Sequence, residues 1–128
     1  MWKRKPSPLP SHSGSSAEAD AAIWLQQRGL ILIEKNFRCR GGEIDLIMRD
    51  GSDLVFVEVR LRTRSDYGGA AASVTISKQR RIVYAAQYFL GQHPRWQNSG
   101  CRFDVLATNA GTGGVLEWDW LRNAFLAY

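Results

Sequence analysis

Residues 43–62 read EIDLIMRDGSDLVFVEVRLR, and their alternation decides the fold. Two segments, 43–49 and 54–62, each alternate apolar and polar side chains with the period of two that is typical of a half-buried strand. Between them, residues 50–53 (Asp-Gly-Ser-Asp) form a strong turn signal. The stretch therefore predicts a β-hairpin.

The length of the hairpin loop decides which side chains face each other. A loop of three residues would place Asp45 among the valines of the second strand, where an unpaired carboxylate costs several kcal/mol. A loop with an even number of residues is favoured because it leaves one face wholly apolar, formed by Ile44, Leu46, Met48, Val55, Val57, Val59 and Leu61. The opposite face then carries Glu43, Asp45, Phe56, Glu58, Arg60 and Arg62.

In the even register with a loop at 50–53, Asp45 lies directly opposite Glu58. Cβ atoms of facing residues are roughly 4.5–5.5 Å apart, so the two carboxylates repel unless a cation or a shared proton offsets the repulsion. Mg²⁺ takes oxygen ligands, often one or two carboxylates with a substrate phosphate. Arg60 projects from the same face and adds a fixed positive charge. The alternative is a solvated outer face on which Glu58 pairs with Arg62.

A helix is predicted before the hairpin, from Ser15 or Ser16 to Arg28, with Gly29 as its terminating residue. Its apolar stripe also contains Glu18, which is unusual because a carboxylate on the core side of a helix needs a partner. The other members of that stripe are Ala21, Ala22 and Leu25. Glu18 is therefore a third candidate for the carboxylate site.

The remaining elements follow from periodicity and turn residues. Strands are expected at 30–34, 102–108 and 115–118, and turns or loops at 37–42, 67–73 and 111–114. A second helix is expected from Ser77, as its cap, to about Gly91, and a short terminal helix over 120–128. The buried face of the second helix is expected to carry Ile82, Ala85, Ala86, Phe89 and Leu90. This order predicts an α/β fold, a mixed sheet flanked by helices.

Length and composition limit the class of protein. The chain has 128 residues, which suits one domain at 14–128 preceded by a flexible tail at 1–13 rich in basic residues, proline and serine. No apolar run approaches the roughly 20 residues of a membrane span. The two cysteines, Cys39 and Cys101, have no metal-ligand spacing, so we expect reduced thiols in a cytoplasmic protein. The formal net charge of +5, with thirteen arginines against four lysines, favours a polyanionic partner.

The stretch GGEIDLIMRDGSDLVFVEVRLR at 41–62 resembles the signature of the YraN-like family of small bacterial proteins. The resemblance extends over about residues 14–126. Its other matching positions are Gly14 with Glu18, Asn36 and Arg38, Gly68-Gly69 with Ala71, Ser77-Lys78 with Arg81, and Arg102-Phe103-Asp104-Val105. That family is similar to archaeal Holliday-junction resolvases and to the PD-(D/E)XK nuclease superfamily. The resemblance implies a restriction-endonuclease-like core that cleaves phosphodiester bonds with Mg²⁺ or Mn²⁺.

The acids of that superfamily fall on Asp45, Glu58 and Glu18, which are expected to hold the metal, with the Val59 carbonyl as a further ligand. Arg60 stands where the superfamily commonly has lysine. Arginine can stabilise charge on a phosphate but stays protonated, so it cannot serve as a general base. This departure leaves open a protein of weak or lost activity.

Five basic residues are expected to contact nucleic acid, and the resemblance implies that it is DNA: Arg62, Arg64, Lys78, Arg80 and Arg81. Cations in the first turn of a helix oppose its dipole, and a bound phosphate would resolve that conflict. Asp104 is either a further site acid or a partner of Arg102 or Arg38, and the structural role is preferred.

Three classes of function remain open: a metal-dependent nuclease, an inactive nucleic-acid-binding module of the same fold, and a protein-interaction adaptor. A homodimer would suit a branched DNA substrate, although no dimer patch can be identified in the sequence.

Overall fold

The computed structural model describes residues 14–62, 74–109 and 117–127. Helix α1 spans Gly14–Gln27, and strands β1, β2 and β3 span Ile31–Cys39, Gly42–Asp50 and Asp53–Arg62. Helix α2 spans Ile76–Gln92 and is followed by a 3₁₀ turn, Pro94–Trp96. Strands β4 and β5 span Cys101–Asn109 and Trp118–Phe125. The predicted tail at 1–13, the loop at 67–73 and the turn at 111–114 lie outside the described residues.

The strands form one mixed sheet in the order β1-β2-β3-β4-β5. Strands β3 and β4 are parallel, and the other neighbours are antiparallel. Helix α1 packs on one face of the sheet, where Leu25 meets Leu46 and Val57. Helix α2 packs on the other face, where Phe89 meets Phe56. The predicted α/β class and a mixed sheet flanked by helices are confirmed.

The even hairpin register is also confirmed. Strands β2 and β3 pair from Asp50↔Asp53 to Leu46↔Val57, so the loop itself is only Gly51 and Ser52. Gly51 has φ of 62°, a left-handed conformation that glycine adopts without steric cost. One face assignment was wrong, because Ile44 packs in the cluster under α2 and not with Leu46 under α1.

Three predicted elements need correction at their ends. Residues 37–39 belong to β1, and the turn is only Arg40 and Gly41. Strand β1 accommodates Asn36 at φ 54°, a left-handed conformation that asparagine tolerates better than most residues. Helix α2 is capped by Thr75 and not by Ser77, since the Thr75 side chain accepts a hydrogen bond from the Lys78 amide. Its buried face is Ile82, Val83, Ala85, Ala86 and Phe89, with Leu90 partly buried.

The predicted terminal helix at 120–128 is wrong, because Trp118–Phe125 is the edge strand β5. Its pairing with β4 shifts register between Phe103 and Val105, which identifies a β-bulge. Asn123 lies in that bulge at φ 53°. A single left-handed residue breaks the alternation that would otherwise have identified a strand.

Gly42 is buried where β2 passes under α2. A Cβ atom on Gly42 would collide with the Arg81 carbonyl oxygen and lie 3.1 Å from the Ala85 Cβ. We expect Gly42→Ala to lower the free energy of unfolding by about 2 kcal/mol, because helix and strand must separate. Gly91→Ala is the matched control: nothing lies within 4 Å of its added Cβ, and helix propensity predicts no loss. Urea unfolding measures both, and equal stability of the two variants would contradict this packing.

Candidate active site

Asp45 lies where β2 leaves its ladder with β3. The last regular pair is Leu46↔Val57, and the next position along each strand is Asp45 and Glu58. The Val59 backbone N–H donates to Asp45 Oδ2 at 2.8 Å, so the aspartate side chain replaces a ladder hydrogen bond. This contact fixes the carboxylate at the open end of the hairpin. This contact uses the N–H of Val59, and the Val59 carbonyl stays a predicted metal ligand.

Glu58 is buried beside Asp45, and its side chain is only 4% exposed. Its pKa is raised from 4.5 to about 8, first by burial and then by the charge of Asp45 and a hydrogen bond with that residue. Lys78 and Arg60 act in the opposite direction. The Lys78 Nζ lies 3.5 Å from Glu58 Oε2. A buried carboxylate is thus held between a like charge and an ammonium.

Glu18 reaches the same aspartate from the other face of the sheet. Its pKa is raised to about 8 by burial, by the charge of Asp45, by a hydrogen bond with Asp45 and by the charge of Glu43, while Arg38 lowers it. Helix α1 directs Glu18 inwards because Ala17, Ala21 and other small residues of its stripe are buried against the sheet. The structure therefore brings Glu18, Asp45 and Glu58 together, with Asp45 in the middle. We call these three residues the carboxylate cluster.

Arg60 lies two positions beyond Glu58 and is partly buried. Its Nε atom is buried without a hydrogen-bond partner in the described structure. An unpaired guanidinium N–H near acids is costly unless a further acceptor completes its hydrogen bonding. A phosphate oxygen is one such acceptor, and arginine is well suited to it.

The donor set suits a hard divalent cation, since it consists of carboxylate oxygens. Among the described residues, however, no group of three or more His, Cys, Asp or Glu side chains is arranged so that it could hold a metal ion. Asp45 with Glu58 forms one close carboxylate pair and Asp45 with Glu18 another. Each pair supplies the one or two carboxylates through which Mg²⁺ is commonly bound in proteins.

The predicted basic residues take different positions. On α2, Lys78 and Arg81 share one side because they are three residues apart, whereas Arg80 lies on the opposite side. Arg80 lines a groove with Ile76, Tyr84 and Leu126. The side chains of Arg80 and Arg81 are both exposed. Arg64 lies outside the described residues, and for Arg62 only the backbone, at the end of β3, is described.

Lys78 was predicted as a phosphate contact, and its ion pair with Glu58 was missed. The periodicity of α2 identifies which residues face the sheet, but not which strand position each one meets. The contact depends on how far α2 is displaced along β3, and the sequence between them carries no signal for that distance.

Asp104 has the structural role that the sequence favoured. It is fully buried and accepts hydrogen bonds from Arg102 Nε, Trp120 Nε1 and the Asn123 backbone N–H. Arg102 also pairs with Asp50 at 2.9 Å. The carboxylate satisfies the N–H that the β5 bulge leaves without a strand partner. Asp104 is thus committed to holding β4 and β5 together.

The fold and the carboxylate cluster define a small mixed α/β protein with an acidic site at the open end of a hairpin. The family described as "Uncharacterised protein family UPF0102" matches residues 17–108, and the chain belongs to that family. The matched region contains all three cluster carboxylates, Arg60 and Lys78.

Relatives from several bacteria carry the same family name. A "UPF0102 protein" of Aeromonas hydrophila is 50% identical over 126 residues, covering 98% of this chain and 92% of the relative. One from Alcanivorax borkumensis is 49% identical over 114 residues, covering 89% and 91%. One from Herminiimonas arsenicoxydans is 52% identical over 111 residues, covering 87% and 84%. The similarity thus spans most of the chain. In the described part of the chain, no helix is long and apolar enough to cross a membrane.

Proposed function

We propose that this protein is a divalent-cation-dependent endonuclease that binds DNA and hydrolyses its phosphodiester bonds, with branched structures as the favoured substrates. The observation that carries the proposal is the convergence of Glu18, Asp45 and Glu58 from α1, β2 and β3. Glu58 is buried and Glu18 partly buried, and both have raised pKa values. Clustered carboxylates with raised pKa values are typical of functional sites, because such an arrangement destabilises the fold. The resemblance to resolvases and to the PD-(D/E)XK nucleases supports the same reaction.

Each residue has a defined part in this proposal. Asp45 and Glu58 would hold Mg²⁺ or Mn²⁺, with Glu18 positioning a water molecule or a second ion. When bound, the cation would polarise the phosphate and lower the pKa of the attacking water. The Val59 N–H keeps Asp45 oriented. Arg60 donates to the phosphate oxygens on which charge develops, and since it stays protonated it takes no proton from the water.

The test is a cleavage assay on linear, flapped and four-way DNAs with Mg²⁺ or Mn²⁺, run beside an Asp45→Ala protein purified identically. We expect the wild type to cut at least one branched DNA and the variant to cut none. Equal cutting by both proteins would identify a contaminant or a different site.

A nucleic-acid-binding module without activity is the second candidate, and Arg60 in place of lysine favours it. Such a module would bind DNA but cut none of the panel. A cytoplasmic location and a homodimer remain part of the proposal, since cellular DNA is the substrate and a four-way junction presents paired strands.

DNA affinity is expected to fall steeply as salt rises, because basic side chains displace counterions from phosphates. Arg81 shares the Lys78 side of α2, so Arg81→Gln should reduce the slope of log affinity against log salt by about 1. Arg80→Gln is the matched control. The sequence places Arg80 among the expected phosphate contacts, but in the structure it lies on the opposite side of α2 from Lys78, so we propose that its loss leaves the slope nearly unchanged. Fluorescence anisotropy at several salt concentrations measures both. Identical slopes for the two variants would show that α2 does not present this side to DNA.

A further inference from the structure

Lys78 holds an unusual position between the first turn of α2 and the carboxylate cluster. Its backbone N–H donates to Thr75 Oγ1 at 3.1 Å, which ties the residue to the helix cap. Its ammonium reaches Glu58 Oε2 at 3.5 Å. The Lys78 side chain is 29% exposed and that of Glu58 is 4% exposed. One end of the pair is buried, and the other opens towards solvent.

This placement has an electrostatic cost and a gain. A cation in the first turn of a helix opposes the helix dipole. A buried carboxylate beside a second carboxylate is also unfavourable. When Glu58 is ionised, the ion pair offsets both costs, because the ammonium then supplies the counter-charge of the carboxylate. Arg60 also lowers the pKa of Glu58, but less than Lys78 does, and its Nε has no hydrogen-bond partner in the described structure.

We propose that Lys78 is the resident counter-ion of the carboxylate cluster and competes with a divalent cation for Glu58. The identity of the competing ion rests on the proposed function. Two positive groups cannot neutralise one buried carboxylate at short range without repelling each other. Binding of the cation therefore displaces the ammonium, which moves on a flexible four-carbon stem. The released ammonium is then free to hold a phosphate oxygen beside the same site, which couples ion uptake to substrate binding.

The experiment titrates Mn²⁺ into wild type, Lys78→Met, Lys78→Arg and Arg80→Met, with free Mn²⁺ followed by electron paramagnetic resonance. Methionine keeps the alkyl stem but removes the charge, so Lys78→Met should bind Mn²⁺ at least about fivefold more tightly. Lys78→Arg keeps the charge and should bind like wild type. Arg80→Met is the matched control from the same helix turn and should also bind like wild type.

A second readout needs no metal. In EDTA, at a pH above the raised pKa of Glu58 so that the carboxylate is ionised, urea-unfolding midpoints of Lys78→Met, Glu58→Gln and the double variant are compared with that of wild type. The ion pair predicts non-additive shifts, because Lys78→Met should lower the midpoint less when Glu58 is already neutral. Lys78→Gln serves as the second variant where the methionine protein folds poorly. Additive shifts would overturn the counter-ion role whatever the metal titrations give.

The outcomes separate this inference from the nuclease proposal. In one outcome, the wild type binds Mn²⁺ and cuts DNA but Lys78→Met binds Mn²⁺ with unchanged or weaker affinity. The proposed competition for Glu58 is then wrong, and the proposed nuclease activity is supported. If Lys78→Met binds Mn²⁺ more tightly than the wild type and no protein cuts DNA, the competition is supported and the proposed nuclease activity is wrong. Absence of Mn²⁺ binding in every variant overturns the competition as well as the metal dependence of the proposed function.

Discussion

Asp45→Asn and Glu58→Gln are each expected to slow Mg²⁺-dependent DNA cleavage by about 10³-fold or more. Both changes remove a charge while keeping the side-chain shape. The asparagine Oδ1 can still accept the hydrogen bond from the Val59 N–H, so the strands should remain in place. Asp45→Ala and Glu58→Ala should lose cleavage equally. The measurement is the single-turnover cleavage rate at saturating protein.

DNA binding separates a lost reaction from a lost fold in these variants. We expect affinity to be largely retained, because neutralising an acid reduces repulsion of the phosphate backbone. Asp20→Asn is the control, since Asp20 is an exposed acid on the same helix as Glu18 and should leave the rate unchanged. Wild-type rates in both cluster variants would exclude the carboxylate cluster as the site of cleavage.

The second large effect is a loss of stability as pH rises in the absence of metal. The pKa values of Glu18 and Glu58 are raised from 4.5 to about 8. A raised pKa means that the folded state binds the proton more tightly than the unfolded state. The resulting stability is complete below pH 4.5 and is lost as pH rises through about 8. Because the two groups are coupled through Asp45 and Glu18 is partly screened by solvent, the combined loss is smaller than the sum of the two shifts, and we expect about 3 kcal/mol.

Glu18→Gln and Glu58→Gln test the origin of this loss. Glutamine resembles the protonated acid, so each variant should be more stable than wild type above the raised pKa and similar to it near pH 4.5. Asp20→Asn should follow the wild-type curve. Urea unfolding in EDTA across this range measures the effect, and Mg²⁺ should restore stability to the wild type at high pH. A wild-type curve that is flat across the range would mean that neither burial nor the charge of Asp45 raises these pKa values.

The hairpin was predictable because burial and alternation act locally. A wrong register would have placed Asp45 among valines, so the cost of one buried charge determined how β2 pairs with β3. The proximity of Asp45 and Glu58 followed from that register. Glu18 was recognised because it interrupts an otherwise apolar stripe, and α1 delivers it to Asp45.

The features that the sequence did not predict depend on a residue with a left-handed backbone or on contacts between elements that are separate in sequence. The prediction of a helix over 120–128 fails at β5, where the left-handed Asn123 interrupts the alternation of the strand. The bulge around that residue is held by Asp104, which lies far away in sequence. The Lys78–Glu58 pair needs the position of α2 on the sheet, which comes from contacts such as Gly42 with the Arg81 carbonyl. No local pattern encodes either contact.

Calorimetric titration of Mn²⁺ into wild type and into Asp45→Ala tests most directly whether the carboxylate cluster is a divalent-cation site. We predict a saturable heat of binding in the wild type that is absent from the variant, because Asp45 lies between both glutamates. Equal isotherms for the two proteins, or no heat in either, would contradict the account.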